Sequence, residues 1–394
     1  MDKNNLEDIA WGFGLSASGG GGSFLDGLQL VQDMLNSGFD YITALDKNNA
    51  PDYTYAGIAG GMGAPTAISS LLDFAVACKA AIDAFNNEFS SKAITGILPI
   101  ESGPVNGLLA IYIAFKYKYR LYDCDGAGRA VPSLSNLLYS KPFSNVNYSP
   151  SAAASMDGKQ TSTNNTWTTG AEAEEGLRPT IDKLGGAVGI TAWAYDSYNL
   201  ANTDLYTGTY SNHATIGKNL KTYYTDKVNL YAYLESLAPK NSEFENLLLD
   251  THLVDVVEES AAGYDKGYIV FNKEGDNEYR LYYLNENMFI AQYNVKDNSY
   301  KYVATAPSTI TMFIYDSNPN KDLGLEAGYI PYNTGDLKTI KTLKGNEMIV
   351  SVTPPTCLLY GKDQKQSFVN VLNSYFNDDN FSFTISDIIP ADCK

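Results

Sequence analysis

The stretch AITGILPIESGPVNGLLAIYIAFKYKYRLYDCDGAGRA, residues 93–130, sets the fold class. Its opening, Ala93 to Ile100, is short, apolar and bounded by turn-forming residues, so it predicts a buried strand that ends at Glu101. A helix is expected from Val105 to Tyr117, and Arg120-Leu121-Tyr122-Asp123 returns to strand. Helix and strand alternating in this way argue an α/β first domain.

Toward the N-terminus, Leu6 to Phe13 has helical spacing and runs into the glycine loop Gly19-Gly20-Gly21-Gly22. Helical spacing resumes at Asp26 through Leu28, Val31, Met34 and Leu35. Tyr41 to Leu45 and Tyr55 to Ala59 predict strands, Gly60 to Thr66 a glycine turn, and Leu71 to Phe85 a helix. Toward the C-terminus, Asn145 to Thr169 is rich in Ser, Asn, Thr and Ala, the composition of a loop or domain boundary. The expected division is therefore an α/β domain over residues 1–165 and a mixed α+β domain over 166–394. In the second domain Glu174 to Leu184 and parts of 218–250 read as helix. Tyr264 to Thr311 is rich in Tyr, Val, Ile and Phe and reads as mostly β, with Gly275-Asp276-Asn277 as a hairpin turn.

Composition narrows the function. A chain of 394 residues, 44% of them hydrophobic, fills cores for two or three domains at about 100–200 residues each. The longest apolar runs, such as Leu108 to Phe115, fall short of the ~18–20 residues of a bilayer-spanning helix. The first residues are acidic and polar and lack a secretory apolar core, so a cytoplasmic, non-membrane protein is expected. A formal charge of −17 without a basic run opposes nucleic acid, and serves equally as a solubilising surface. Cys78, Cys124, Cys357 and Cys393 are scattered, which predicts reduced thiols. His213 and His252 lack metal-binding spacing, so no histidine-built zinc site and no cofactor are expected. A divalent metal on carboxylates alone would leave little trace in spacing, and that question stays open.

Five places carry residues suited to chemistry. The glycine run lets backbone approach a ligand and aim N–H groups at it, or else serves as a turn between helices. Asp123 and Asp125, two apart, would share one face of an extended segment and could perform acid–base work, or else end a strand in an Asp-Gly turn. Arg129 could grip a planar carbonyl or merely pair with those carboxylates. Glu101 and Asn106 follow a strand at its C-terminal end, where ligand crevices form in α/β sheets, and Asn285-Glu286-Asn287 interrupts a β run as a turn or a site.

Together these segments resemble the S-methyl thiohydantoin desulfurase family, a relative of hydantoinase and oxoprolinase systems. The resemblance runs through Gly19 to Gly22, Gly61-Met62-Gly63-Ala64-Pro65-Thr66, Glu101 with Gly103 and Asn106, and Asp123 through Pro132. It continues through Gly263 to Gly267 and Asn285 to Asn287; the Asp123 to Ala130 segment is the most specific. It implies a two-domain hydrolase of small cyclic amides that converts an S-methyl thiohydantoin to a hydantoin and methanethiol. The alternative is a non-catalytic ligand-binding or partner subunit of a hydantoinase or oxoprolinase; a homo-oligomer is compatible with either. For the hydrolase, Asp123 or Asp125 is the expected base with Glu101 in reserve. Gly20, Gly21, Gly22, Gly63, Thr66, Asn106, Arg129, Asn285 and Glu286 are the expected substrate contacts. The chain departs from the family pattern at Ser70, Ser133 and Ser308, where acidic residues are usual, and at Pro104 in place of a glycine. Membership and catalytic competence are therefore separate questions.

Overall fold

The computed structural model describes residues 1–52, 54–63, 71–237, 247–261, 264–353, 356–377 and 381–388. Thr66, Ser70, Gly263 and Cys393 lie outside the described residues. Helix α1 (Lys3–Ser16) begins where the Asp2 side chain accepts the Asn4 and Asn5 amides, and α2 (Phe24–Asn36) where Ser23 accepts the Asp26 amide. The glycine loop lies between them, opening the second helix as the spacing predicts.

The first sheet gathers β1 (Ala44–Leu45), β2 (Tyr55–Gly63), β3 (Ile94–Pro99) and β4 (Arg120–Tyr122) in parallel, in the order β1-β4-β3-β2. Helices α3 (Leu71–Glu88) and α4 (Asn106–Tyr117) connect them, matching the α/β expectation. After the short β5 (Cys124–Asp125), the hairpin β6 (Ser151–Ser155) and β7 (Thr161–Asn164) leads through α5 (Gly170–Lys183) to β8 (Ala187–Thr191) and β9 (Tyr195–Asp196). Strand β8 pairs antiparallel with both β2 and β6, and so extends the parallel half by an antiparallel one.

Two local expectations are corrected here. Residues Gly60 to Gly63 are strand, not turn, because they form the β2 ladder with β8. The glycines serve packing, since a Cβ on Gly61 would stand 1.4 Å from the Phe74 ring of α3. The Ser- and Asn-rich stretch after Asn145 is not only loop, for it contains β6 and β7. Because β8 and β9 complete the first sheet from beyond residue 165, the division placed there separates segments of sequence rather than sheets.

Helix α6 (Ser197–Asn202) and β10 (Tyr206–Thr207) lead to α7 (Thr209–Tyr223) and α8 (Lys227–Ser236), which account for the helical part of 218–250. Helices α1 and α7 approach closely at two glycines: a Cβ on Gly217 would lie 1.7 Å from the Asp8 carbonyl oxygen, and one on Gly12 would meet His213. The Lys47 ammonium is buried and donates to the carbonyls of Leu200, Ala201 and Thr203, which ties the edge after β1 to the end of α6.

The second sheet is antiparallel throughout. It comprises β11 (Leu247–Ala261), β12 (Tyr264–Glu274), β13 (Asn277–Leu284), β14 (Glu286–Asn294), β15 (Ser299–Thr305), β16 (Thr309–Asp316), β17 (Gly328–Ile330) and, after α9 (Leu337–Thr342), β18 (Glu347–Thr353). The order is β15-β14-β13-β12-β11-β18-β16-β17. The hairpin turn falls at Gly275-Asp276 as predicted. Helix α10 (Lys362–Phe376) packs on this half, with Phe376 edge-on to the Tyr282 and Phe289 rings.

Two hydrophobic cores form, and each draws on both halves of the chain. In one, Trp11, Phe13 and Leu28 pack with Ile310, Met312 and Ile314; in the other, Tyr139 and Trp193 belong with Leu284, Phe289 and Phe368. Cys78 and Cys124 are buried free thiols, whereas Cys357 is disulfide-bonded, which corrects the expectation of four reduced cysteines. No described helix is long and apolar enough to cross a membrane.

Candidate functional site

Strand β3 ends in the turn that carries Glu101, at the carboxyl edge of the parallel strands. The side chain is buried, 6% exposed. Asn106 Nδ2, in the first turn of α4, donates to Oε1 at 2.8 Å, and the Val131 amide donates to Oε2 at 2.9 Å. Asn106 is itself oriented, because its Oδ1 accepts the Gly61 amide at 2.9 Å. Burial pushes the Glu101 carboxyl up to about 7, against the opposing pull of these two donors; the Asp125 charge raises it further and Arg129 lowers it.

Glu286 begins β14, just after Asn285, whose φ of 57° makes the abrupt turn between β13 and β14. It is 4% exposed and lies against the glycine loop so closely that a Cβ on Gly20 would stand 2.2 Å from Oε1. The Gly21 amide donates to it, while Oε2 has no partner. Burial, then the Glu101 charge, pushes Glu286 well above the usual carboxylate range, and Arg129 opposes the rise. The two acids thus share one low-dielectric site in which both cannot readily ionise.

The glycine run holds this arrangement. Ser18, Gly19, Gly21 and Gly22 all have positive φ. The Gly21 carbonyl accepts the Val105 and Asn106 amides, starting α4 where no side chain caps it. From the second half of the chain, Asn287 N–H donates to the Ser18 carbonyl, Asn333 Nδ2 to those of Gly20 and Gly22, and Thr334 N–H and Oγ1 to that of Gly19. Asp336 accepts from Ser23 Oγ and from the Phe24 amide.

Gly20, Gly21, Gly22, Gly63, Glu101, Asn106, Asn285 and Glu286 all line one cavity of about 110 Å³, together with Glu174 and Arg178 of α5. Of the glycine amides expected to face a ligand, Gly20 N–H donates to the Ala17 carbonyl, and the Gly21 amide favours the ionised form of Glu286. The loop's role is close approach.

The Asp123 and Asp125 side chains do turn toward one element, but that element is the start of α7. Asp123 accepts the Tyr210 amide at 2.6 Å and Ser211 Oγ at 2.9 Å. Asp125 is fully buried and accepts Ala127 N–H, Gly128 N–H, Ser102 Oγ and Thr209 Oγ1, all at 2.7–2.8 Å. Neither lines the cavity. Arg129 is also outside the lining and pairs with neither aspartate. Its Nε donates to Ala130 O and its Nη1 to Pro307 O and Ser308 O, while Nη2 has no partner. Burial lowers it to about 10, so it stays a cation beneath the two glutamates.

Sequence reasoning missed the Asn333, Thr334 and Asp336 clasp and the Glu174–Arg178 pair. The four-residue spacing of Glu174 and Arg178 on a helix was the available signal for the pair; for the clasp there was none. His213 is a core residue, its Nδ1 against the Thr209 carbonyl and its ring on Phe13. Among the described residues no group of three or more His, Cys, Asp or Glu side chains is arranged to hold a metal ion.

Comparison with known proteins follows the same lines. No curated protein matches the chain. The X-ray crystal structure of a protein from Chromobacterium violaceum, a structural-genomics target, superimposes with a TM-score of 0.71 over 95% of this chain and 96% of that one, at 20% identity, and so shares the fold. Residues 4–165 match the family model described as the S-Me-THD-like N-terminal domain, so the family resemblance read from the sequence holds over that part of the chain.

Proposed function

We propose that the cavity hydrolyses a small cyclic amide of the S-methyl thiohydantoin type, with Glu101 as the base and Glu286 as its proton-holding partner. What carries this reading is a buried carboxyl raised to about 7 and oriented by Asn106 and Val131, in one cavity with a second buried acid, Glu286, whose proton affinity burial also raises. Water adds across the ring C=N bond, its oxygen to carbon and a proton to ring nitrogen. The adduct then collapses, the C–S bond breaks, and the hydroxyl proton leaves on sulfur as methanethiol. Glu101 accepts the water proton and Glu286 can donate one, so the pair balances the transfers without a redox cofactor. Arg129 contributes its charge from beneath, which restrains both acids from rising further.

The base in this proposal is Glu101 rather than Asp123 or Asp125, since those carboxylates are occupied by the start of α7 and the Asp125 turn. The test is methanethiol release from an S-methyl thiohydantoin, followed with a thiol reagent. Turnover that falls by about 10²–10⁴ in Glu101→Gln supports the reading. Turnover by Glu101→Gln at the wild-type rate, or none by the wild type with any such ring, sinks it.

A further inference from the structure

The cavity that holds Glu101 and Glu286 adjoins a second one of about 630 Å³, and three residues line both: Ser133, Glu174 and Arg178. We infer that this outer vestibule is a second subsite, which takes an uncharged, hydrogen-bonding aromatic substituent of the ring held inside; the inference rests on the cyclic-amide reading above.

The boundary between the two chambers is a fixed structure. Glu174 accepts the Leu134 amide and the Tyr264 hydroxyl, each at 3.0 Å, and pairs with Arg178. The Arg178 guanidinium lies 4.1 Å from the centre of the Tyr264 ring, and Tyr264 meets Tyr375 edge to face at 4.8 Å. A turn, α5, β12 and α10 are thereby joined at one point, so the opening past it has a defined shape. The inner chamber, about 110 Å³, has room for a small ring, and a substituent directed past Ser133, Glu174 and Arg178 would lie in the outer one.

The walls define the substituent's chemistry. Tyr264, Tyr375 and Phe143 supply aromatic surface. Gln366, Asn370 and Ser374, four residues apart along α10, present amides and a hydroxyl on one exposed face, where Gln366 Nε2 donates to Asn370 Oδ1 and Ser374 Oγ to the Asn370 carbonyl, leaving the Asn370 amide hydrogens and the Gln366 oxygen for a ligand. Arg178 is paired with Glu174, and the other charged lining residues, Lys141, Glu175 and Asp363, are exposed, two acids against one lysine. An aromatic ring with a hydroxyl finds edge-to-face partners and hydrogen bonds there, whereas a carboxylate finds no free buried cation among the described residues.

Calorimetric titration of the whole protein with three probes tests this: hydantoin, hydantoin carrying a para-hydroxybenzyl group, and hydantoin carrying a carboxyethyl group. The hydroxybenzyl ring should bind about tenfold or more tighter than bare hydantoin, and the carboxyethyl ring no tighter. Asn370→Trp, which plugs the vestibule from the exposed face of α10, should bring the ratio of the first two affinities close to one. Ser374→Trp is a second plug should the first variant fail to fold, as judged by its circular dichroism and melting. Equal binding of all three rings, or an unchanged ratio in a folded plug variant, overturns the vestibule. Binding of no ring overturns the cyclic-amide reading and the subsite with it.

Discussion

Glu101 receives a hydrogen bond on each oxygen, whereas Glu286 is left with one oxygen bare, and that difference separates the pH behaviour of the two acids. A base must be ionised to work, so kcat/KM should climb about tenfold per pH unit up to about 7 and then level, and Glu101→Gln should abolish the rise along with the activity. Glu286 is expected to act on stability. Its folded-state proton affinity exceeds the ordinary 4.5, so the unfolded chain gives up that proton first and stability drains away as pH rises above about 4.5. Glu286→Gln should therefore raise the melting temperature at pH 8 and leave it nearly unchanged at about pH 4, as scanning calorimetry at the two values would record. Asp125 behaves otherwise: its Oδ1 accepts two amides and its Oδ2 two hydroxyls, so Asp125→Ala leaves the buried Ala127 and Gly128 N–H groups without an acceptor. Urea unfolding should show a loss of about 2–4 kcal/mol, with kcat of the folded fraction preserved.

Helices and strands were legible where side-chain spacing speaks for itself. The helical periodicity of Leu28, Val31 and Met34 and the apolar run before Glu101 both became the elements they predict. Glycine was the ambiguous letter. Gly60 to Gly63 look like a turn because no side chain reports a face, yet there the missing side chain admits Phe74 against the sheet. The same logic governs the α1–α7 crossing, where the two backbones touch at Gly217 and Gly12. Gly217→Val should separate the helices and destabilise the fold by about 3 kcal/mol, read as a lower urea midpoint. Asp123 and Asp125 illustrate the opposite error. Their alternation correctly placed them toward one element, but sequence gave no sign that the start of α7 would fill that face.

At the scale of the molecule, the site belongs to neither half of the chain. Glu101 and the glycine loop come from the first, Glu286 and the Asn333, Thr334 and Asp336 clasp from the second, and Arg129 reaches across to the Pro307 and Ser308 carbonyls. Contacts between residues about three hundred positions apart leave no trace in spacing, which is why the clasp could not be read in advance. Since both cores also span the halves, thermal unfolding followed by near-ultraviolet and far-ultraviolet dichroism should give one coincident transition; two separated transitions would show the halves to be independent. The clasp also sets an order in time. A growing chain folds its leading segments first, yet the glycine loop's Ser23 waits for Asp336 and its Gly19 for Thr334. During synthesis the loop remains unfastened until Thr334 and Asp336, more than three hundred residues further on, have been made, so until then the nascent protein carries its two glutamates in separate places.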